Sequence, residues 1–239
     1  MPDPWYAPPE SLEPAARRLF GPRLPLAATY AGTLATDGVV RGLIGPREAP
    51  RIWDRHLLNC AAVADLIASG AFVVDVGSGA GLPGIVLSVA RPDLTLVLVE
   101  PLARRTNFLT EVLGTLGLAD RVTVVRDRAE AVTLPRPADV VTARAVAPLD
   151  RLVGWCLPLA AIGGRLLALK GASAADEIAT HSAAVGRLGG GVPRVRVCGV
   201  GLIDPPTTVV EVVKERSVAP SSSTGSPRAV RRRGGAQRR

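Results

Sequence analysis

The pattern of apolar positions divides the chain near residue 70. Before it, apolar residues recur at helical spacing; after it, short apolar runs alternate with helical stretches. In the Pro-rich opening segment, residues 1–25, a short helix is predicted around Glu13 to Phe20. Leu26 to Leu43 reads as helical in its first half, with Ala27, Tyr30, Ala31 and Leu34 on one face, and Gly45-Pro46 ends it. Trp53 to Ile67 is a second amphipathic candidate, with Leu57, Ala61 and Ala64 in register.

Beyond residue 70 the pattern predicts strands at Phe72–Val76, Leu94–Glu100, Arg121–Val125, Ala138–Arg144 and Arg165–Lys170. Helices are predicted at Pro83–Ala90, Arg104–Leu116, Leu149 to about Ala161, and Ala174–Leu188. Continuous apolar strands separated by helices indicate a parallel, doubly wound α/β sheet covered on both faces. Pro193–Gly199 and Thr207–Val213 are expected to close it as an antiparallel hairpin, giving seven strands. No internal repeat is present.

Composition narrows the function classes. At 47% hydrophobic the chain has the apolar surface for a core, which excludes wholesale disorder. Cys60, Cys156 and Cys198 are odd in number and far apart, so neither a disulfide scaffold nor a cysteine-built metal site is expected, and a reducing cytoplasm fits. No metal is expected in catalysis. No apolar run is long enough for a transmembrane helix, and the N-terminal acids Asp3, Glu10 and Glu13 argue against a secretory signal. The net charge of +8 is uneven. Six arginines and no acid lie between Ser217 and Arg239, whereas residues 1–216 carry 23 bases and 21 acids. Residues 217–239 are therefore expected to be a disordered basic tail, either a polyphosphate-seeking arm or a solubilising end. Only two lysines occur, Lys170 and Lys214.

The chemistry-bearing segment is Asp75-Val76-Gly77-Ser78-Gly79-Ala80-Gly81-Leu82-Pro83-Gly84, between the first parallel strand and its helix. Glycines there let the backbone turn sharply and approach a ligand at the C-terminal edge of the sheet. Gly79, Gly81 and Gly84 satisfy the dinucleotide fingerprint. Asp75, Gly77, Gly79 and Gly81 satisfy the first motif of class I methyltransferases. Three features favour the second reading. Asp75 suits the ammonium of S-adenosylmethionine and would repel a pyrophosphate. Glu100, ending the next strand, can accept from both ribose hydroxyls, although nicotinamide dinucleotides share that contact. The terminal hairpin also matches that methyltransferase sheet. A glycine turn with a purely structural role remains the third reading, and the absence of GxxxxGK[ST] excludes a P-loop.

The flanking residues sharpen this. Trp53-Asp54-Arg55-His56-Leu57-Leu58-Asn59, the run from Asp75 to Asp93, Arg104 to Leu109, Thr142-Ala143-Arg144-Ala145 and Ala168-Leu169-Lys170-Gly171 occur in one order. Together they resemble the RsmG family (glucose-inhibited division protein B), bacterial 16S rRNA guanine-N7 methyltransferases, in its actinobacterial form. The resemblance covers about residues 26–216. It implies a class I, Rossmann-like methyltransferase domain over residues 71–216, an N-terminal helical extension over 26–70, and S-adenosylmethionine as methyl donor. It also implies small-subunit RNA as partner, with a target in the decoding-region loop, a cytoplasmic location, and neither a membrane nor an obligate protein partner. By the same resemblance Gly77, Gly79 and Leu82 belong to the cofactor turn. Ala129 and Glu130 flank the adenine, and Arg144 serves cofactor and substrate. Glu100 stands where many relatives have Asp.

Guanine N7 has an in-plane lone pair and no proton, so methylating it requires no general base. The (D/N)PP(Y/F) motif of exocyclic-amine methyltransferases is indeed missing after the fourth strand. Arg144 and Lys170 are the catalytic candidates, joined by Arg128 for substrate binding. His56 reads as a hydrogen-bonded packing residue or as a donor to RNA or cofactor, and Arg104 and Arg105 as phosphate contacts or solvated groups. Trp53, Phe72, Phe108 and Trp155 are expected in the core. A small-molecule methyltransferase and a non-catalytic rRNA-binding assembly factor are the competing functions. The missing lid insertion argues against the first, and the intact glycine turn, Glu100 and Arg144 against the second.

Overall fold

The computed structural model of the chain describes residues 6–218; the arginine-rich segment from 219 onward lies outside them. Strands β1 (Phe72–Val76), β2 (Thr95–Val99), β3 (Val122–Val125), β4 (Ala138–Arg144), β5 (Ala160–Lys170), β6 (Arg194–Cys198) and β7 (Thr207–Val213) form one sheet in the order β3-β2-β1-β4-β5-β7-β6. The first five are parallel, and β7 is antiparallel to both β5 and β6. The order reverses between β1 and β4, the point at which open α/β sheets bind ligands.

Helices α1 (Glu13–Phe20), α2 (Leu24–Thr33), α3 (Leu58–Ala61), α4 (Gly84–Ala90) and α5 (Ala103–Leu116) contribute to the core on one side of the sheet. Helices α6 (Leu149–Cys156) and α7 (Ala174–Arg187) contribute to the core on the other. β1 explains why the sheet is covered twice: all five of its residues are buried, with Val73 in the first core and Val74 in the second, following the two-residue period of a strand. The N-terminal helices share the first core. Ala16, Phe20, Tyr30, Leu34, Leu57 and Leu58 pack there with Ile85, Leu87 and Phe108, and Trp53 meets Phe20 edge-on with centroids 6.2 Å apart.

Four elements differ from expectation. The helix after β4 ends at Cys156 rather than near Ala161. A 3-10 turn containing Pro158 follows, and β5 begins at Ala160, paired with Ala138, rather than at Arg165. Gly163 and Gly164 make the early start feasible. Gly163 has φ +80°, and a Cβ on Gly164 would fall 2.8 Å from the Ala138 carbonyl oxygen. The expected Trp53–Ile67 helix is irregular, with a π turn at Ile52–Leu57, α3, and a 3-10 turn at Ala62–Leu66. The helix after Leu26 likewise continues into a π turn at Leu34–Gly38. Among the described residues no helix is long and apolar enough to cross a membrane.

Candidate active site

The turn after β1 is built from below. Asp75 is fully buried; its Oδ1 accepts from Thr142 Oγ1 at 2.9 Å and its Oδ2 from the Gly84 amide at 3.1 Å. Burial pushes its carboxyl up to about 6, against the pull of those hydrogen bonds. This corrects the expected contact with a ligand ammonium: Asp75 braces the turn from the core side and is not part of the cavity wall above it. Gly77 has φ +69°, and a Cβ there would lie 2.8 Å from Val146 Cγ2, so the turn and the β4–α6 connection close on each other only because this position is glycine. From the N-terminal side, buried Tyr30 donates its hydroxyl to the Ala80 carbonyl at 2.7 Å.

Above the turn lies a cavity of about 430 Å³ at the C-terminal edge of the sheet, within the range of small-molecule sites. Gly77 and Glu100 form one side of it, Arg128, Ala129 and Glu130 another, and Ala145, Val146 and Trp155 a third. Glu100 is buried, with Oε2 accepting the Gly79 amide at 3.0 Å and Oε1 the Leu102 amide at 3.1 Å. Arg105 approaches the same Oε2 at 3.4 Å, and its buried Nε has no hydrogen-bond partner. The wall thus carries Glu100, Asp127 and Glu130 against Arg105 and Arg128. That excess of carboxylates suits a cationic sulfonium ligand better than a pyrophosphate. Glu100 has lone pairs left over for a diol, and the glycine turn admits close approach, so these residues fit S-adenosylmethionine.

Five of the expected site residues therefore converge: Gly77, Glu100, Arg128, Ala129 and Glu130. Gly79 reaches the site through its amide on Glu100, and Leu82 packs against the N-terminal core instead. Arg144 ends β4, but its guanidinium turns toward the N-terminal helices. It donates to Cys60 Sγ at 3.2 Å, to the Arg55 carbonyl at 3.3 Å and to His56 Nδ1 at 2.6 Å. A guanidinium only donates, so Nδ1 accepts and His56 gives its Nε2 proton to Glu48 Oε2 at 3.1 Å. Burial, then the Arg144 charge, lower the His56 pKa to about 4, leaving the ring neutral near pH 7. Burial likewise raises the Cys60 thiol, so these three partners of Arg144 leave its charge uncompensated. Lys170 lies outside the wall, with its ammonium 2.9 Å from the Ala147 carbonyl and 2.7 Å from Glu177 Oε2.

Sequence reasoning missed three contributors. Trp155, expected in the core, is half-buried and lines the cavity, and Asp127 lines it too. Tyr30 fell on the apolar face of a helix, where its hydroxyl gave no signal. Arg104, beside Arg105, is exposed.

Residues 23–201 match the family described as rRNA small subunit methyltransferase G. The chain belongs to this family. It is 64% identical over 238 residues to a "Ribosomal RNA small subunit methyltransferase G" of Salinispora tropica, covering 97% of each chain. The protein of the same name from Salinispora arenicola is 63% identical and covers 100% of both. Among solved structures, a SAM-dependent O-methyltransferase of Thermotoga maritima superposes with a TM-score of 0.51 at 14% identity, covering 68% of this chain and 66% of that one. P. horikoshii TYW2 in complex with MeSAdo does so with a TM-score of 0.53 at 14% identity, covering 67% and 63%. Those likenesses show the class I fold. The chain is accordingly a methyltransferase of the rRNA small subunit methyltransferase G family, with S-adenosylmethionine as its methyl donor.

Proposed function

We propose that this chain methylates N7 of a guanine in 16S rRNA, in the decoding-region loop, at the cavity above the glycine turn. The observation that carries this reading is the buried Glu100 carboxylate in the wall of a small-molecule-sized cavity at the sheet's topological switch point. The donor supplies an electrophilic methyl group on a sulfonium. Glu100 accepts from the ribose hydroxyls, Ala129 and Glu130 flank the adenine, and Gly77, Gly79 and Leu82 shape the turn beneath the methionyl part.

The remaining work is positioning. The N7 lone pair lies in the guanine plane and carries no proton, so no side chain has to remove one. Aligning nucleophile and methyl supplies most of the acceleration. Transfer moves positive charge onto the guanine, and a cation beside N7 would oppose it. A forked arginine on O6 and N7, a common way to read guanine, would also cover the nucleophile. Arg144 and Arg128 therefore act at O6, ribose or phosphate. Arg144, held by neutral partners, keeps its charge available for that contact.

A small-subunit RNA substrate supports a cytoplasmic location. The test is tritiated S-adenosylmethionine incubated with small ribosomal subunits, naked 16S rRNA and a metabolite pool. Label in the RNA of either of the first two supports the reading. Label only in metabolites favours a small-molecule enzyme, and donor binding without transfer an assembly factor.

A further inference from the structure

The connection between β4 and α6 is only Ala145–Pro148, yet it forms one wall of the cavity. Ala145 is the sole non-glycine among the described residues with positive φ, at +55°, a conformation that costs about 1 kcal/mol or more and persists only where the surroundings impose it. Val146 packs directly over Gly77. Pro148 is the N-cap of α6 and offers no side-chain hydrogen bond to the first turn.

What holds this strained turn comes from the neighbouring strand and helix. Lys170, ending β5, donates to the Ala147 carbonyl at 2.9 Å and to Glu177 Oε2 at 2.7 Å. Glu177, in the first turn of α7, accepts the Leu149 amide on that same oxygen at 3.1 Å and the Ser173 hydroxyl on the other at 3.2 Å. One ion pair therefore clamps both ends of the connection, the last carbonyl before Pro148 and the first amide of α6. Both side chains are largely shielded, 12% exposed for Lys170 and 21% for Glu177. Burial alone would raise the Glu177 carboxyl, but Lys170 and the other donors outweigh it and bring it below the usual carboxylate range, consistent with an ionised clamp.

We infer that Lys170 and Glu177 are a positioning pair that holds Ala145 and Val146 against Gly77 and so fixes the wall along which the target base meets the methyl group. The inference rests on the proposed use of this cavity. Lys170 then acts through the turn and touches neither RNA nor donor. Glu177, which no motif marks, is its equal partner.

The experiment compares the full chain with Lys170→Met, Glu177→Ala, Glu177→Gln and the Lys170→Met/Glu177→Met double variant. The readouts are single-turnover methyl transfer to small subunits at saturating donor, S-adenosylhomocysteine affinity by calorimetry, and the thermal midpoint. Lys170→Met and Glu177→Ala should each lose about tenfold in transfer rate, with product affinity changed less than threefold. The double variant should be no slower than the worse single one, because residues acting as one unit are not additive. Glu177→Gln keeps an acceptor for Lys170 and Leu149 and should recover part of the rate. Transfer in Glu177→Ala within twofold of wild type overturns the proposal. So does a loss in Lys170→Met that Glu177→Ala does not share, which would put Lys170 on the RNA itself. If the alanine and methionine variants fail to fold, the Glu177→Gln rate decides, and a wild-type rate overturns the pairing. Failure of the proposed function looks different: the wild-type chain itself would transfer nothing to small subunits.

Discussion

At the scale of residues, burial inverts several assignments that chemistry alone suggests. Asp75 looks like a ligand contact by its place in the motif, but it is fully buried and its carboxylate is held beneath the turn by Thr142 and Gly84. Both lysines serve backbone carbonyls: Lys170 that of Ala147, and buried Lys214 that of Ala160 at 2.7 Å. Among the charged residues of the cavity wall Glu100 alone is buried, and its replacement by Gln should weaken donor binding about tenfold by calorimetry while sparing the saturated transfer rate. His56 carries a pH signature. Its pKa falls from 6.5 to about 4 on folding, so between those values the unfolded chain binds a proton that the folded chain refuses. The stability His56 contributes is complete above pH 6.5 and is lost as pH falls toward 4. Asp75 does the reverse: its pKa rises from 3.8 to about 6, and its contribution is lost as pH rises through that window. Denaturant titrations should therefore show the wild-type advantage over His56→Gln shrinking on acidification from pH 6.5, and a constant advantage would refute the neutral-ring assignment.

At the scale of elements, most of the sheet was legible in the sequence. β1 and β4 begin and end where the apolar runs do, because continuously apolar strands flanked by turn residues have few other readings. The misplaced boundary between α6 and β5 has a physical cause: Ala160-Ala161-Ile162 carries no periodicity of its own, and its extended form depends on pairing with β4. The cavity wall was legible only where a motif marked it. Glu100, Ala129 and Glu130 stand in marked positions, whereas Trp155 gains its place from how α6 packs on β4 and β5, and Glu177 from how α7 packs against α6. Tyr30 links α2 to the glycine turn by a single hydroxyl. Tyr30→Phe retains the packing and should lower stability by about 1 kcal/mol and weaken donor affinity severalfold. Unchanged affinity would confine Tyr30 to the core.

At the scale of the molecule, charge partition matters more than the total. Residues 1–216 carry 23 bases against 21 acids, too small an excess to hold RNA by bulk charge. Recognition by the folded part then has to rest on placed groups, for which Arg128 in the cavity wall and Arg144 at the end of β4 are the proposed ones. Arg105 lines the same cavity beside Glu100. The six arginines beyond residue 219 are a separate contribution. For single-stranded RNA each phosphate they neutralise should add about −0.7 to the log–log salt slope. Deleting residues 219–239 should flatten that slope in RNA-binding titrations and spare turnover; an unchanged slope would make the segment a bystander.

The cavity transfers a methyl group to an atom that has no proton to lose, so none of its side chains has to act as a base. The direct measurement is complete nuclease digestion of small-subunit RNA methylated in vitro by the wild-type chain with labelled S-adenosylmethionine, followed by chromatography of the nucleosides. Label is expected in 7-methylguanosine alone. Label in an exocyclic-amine or carbon-methylated nucleoside would require a deprotonating group that this site does not assign, and would contradict it.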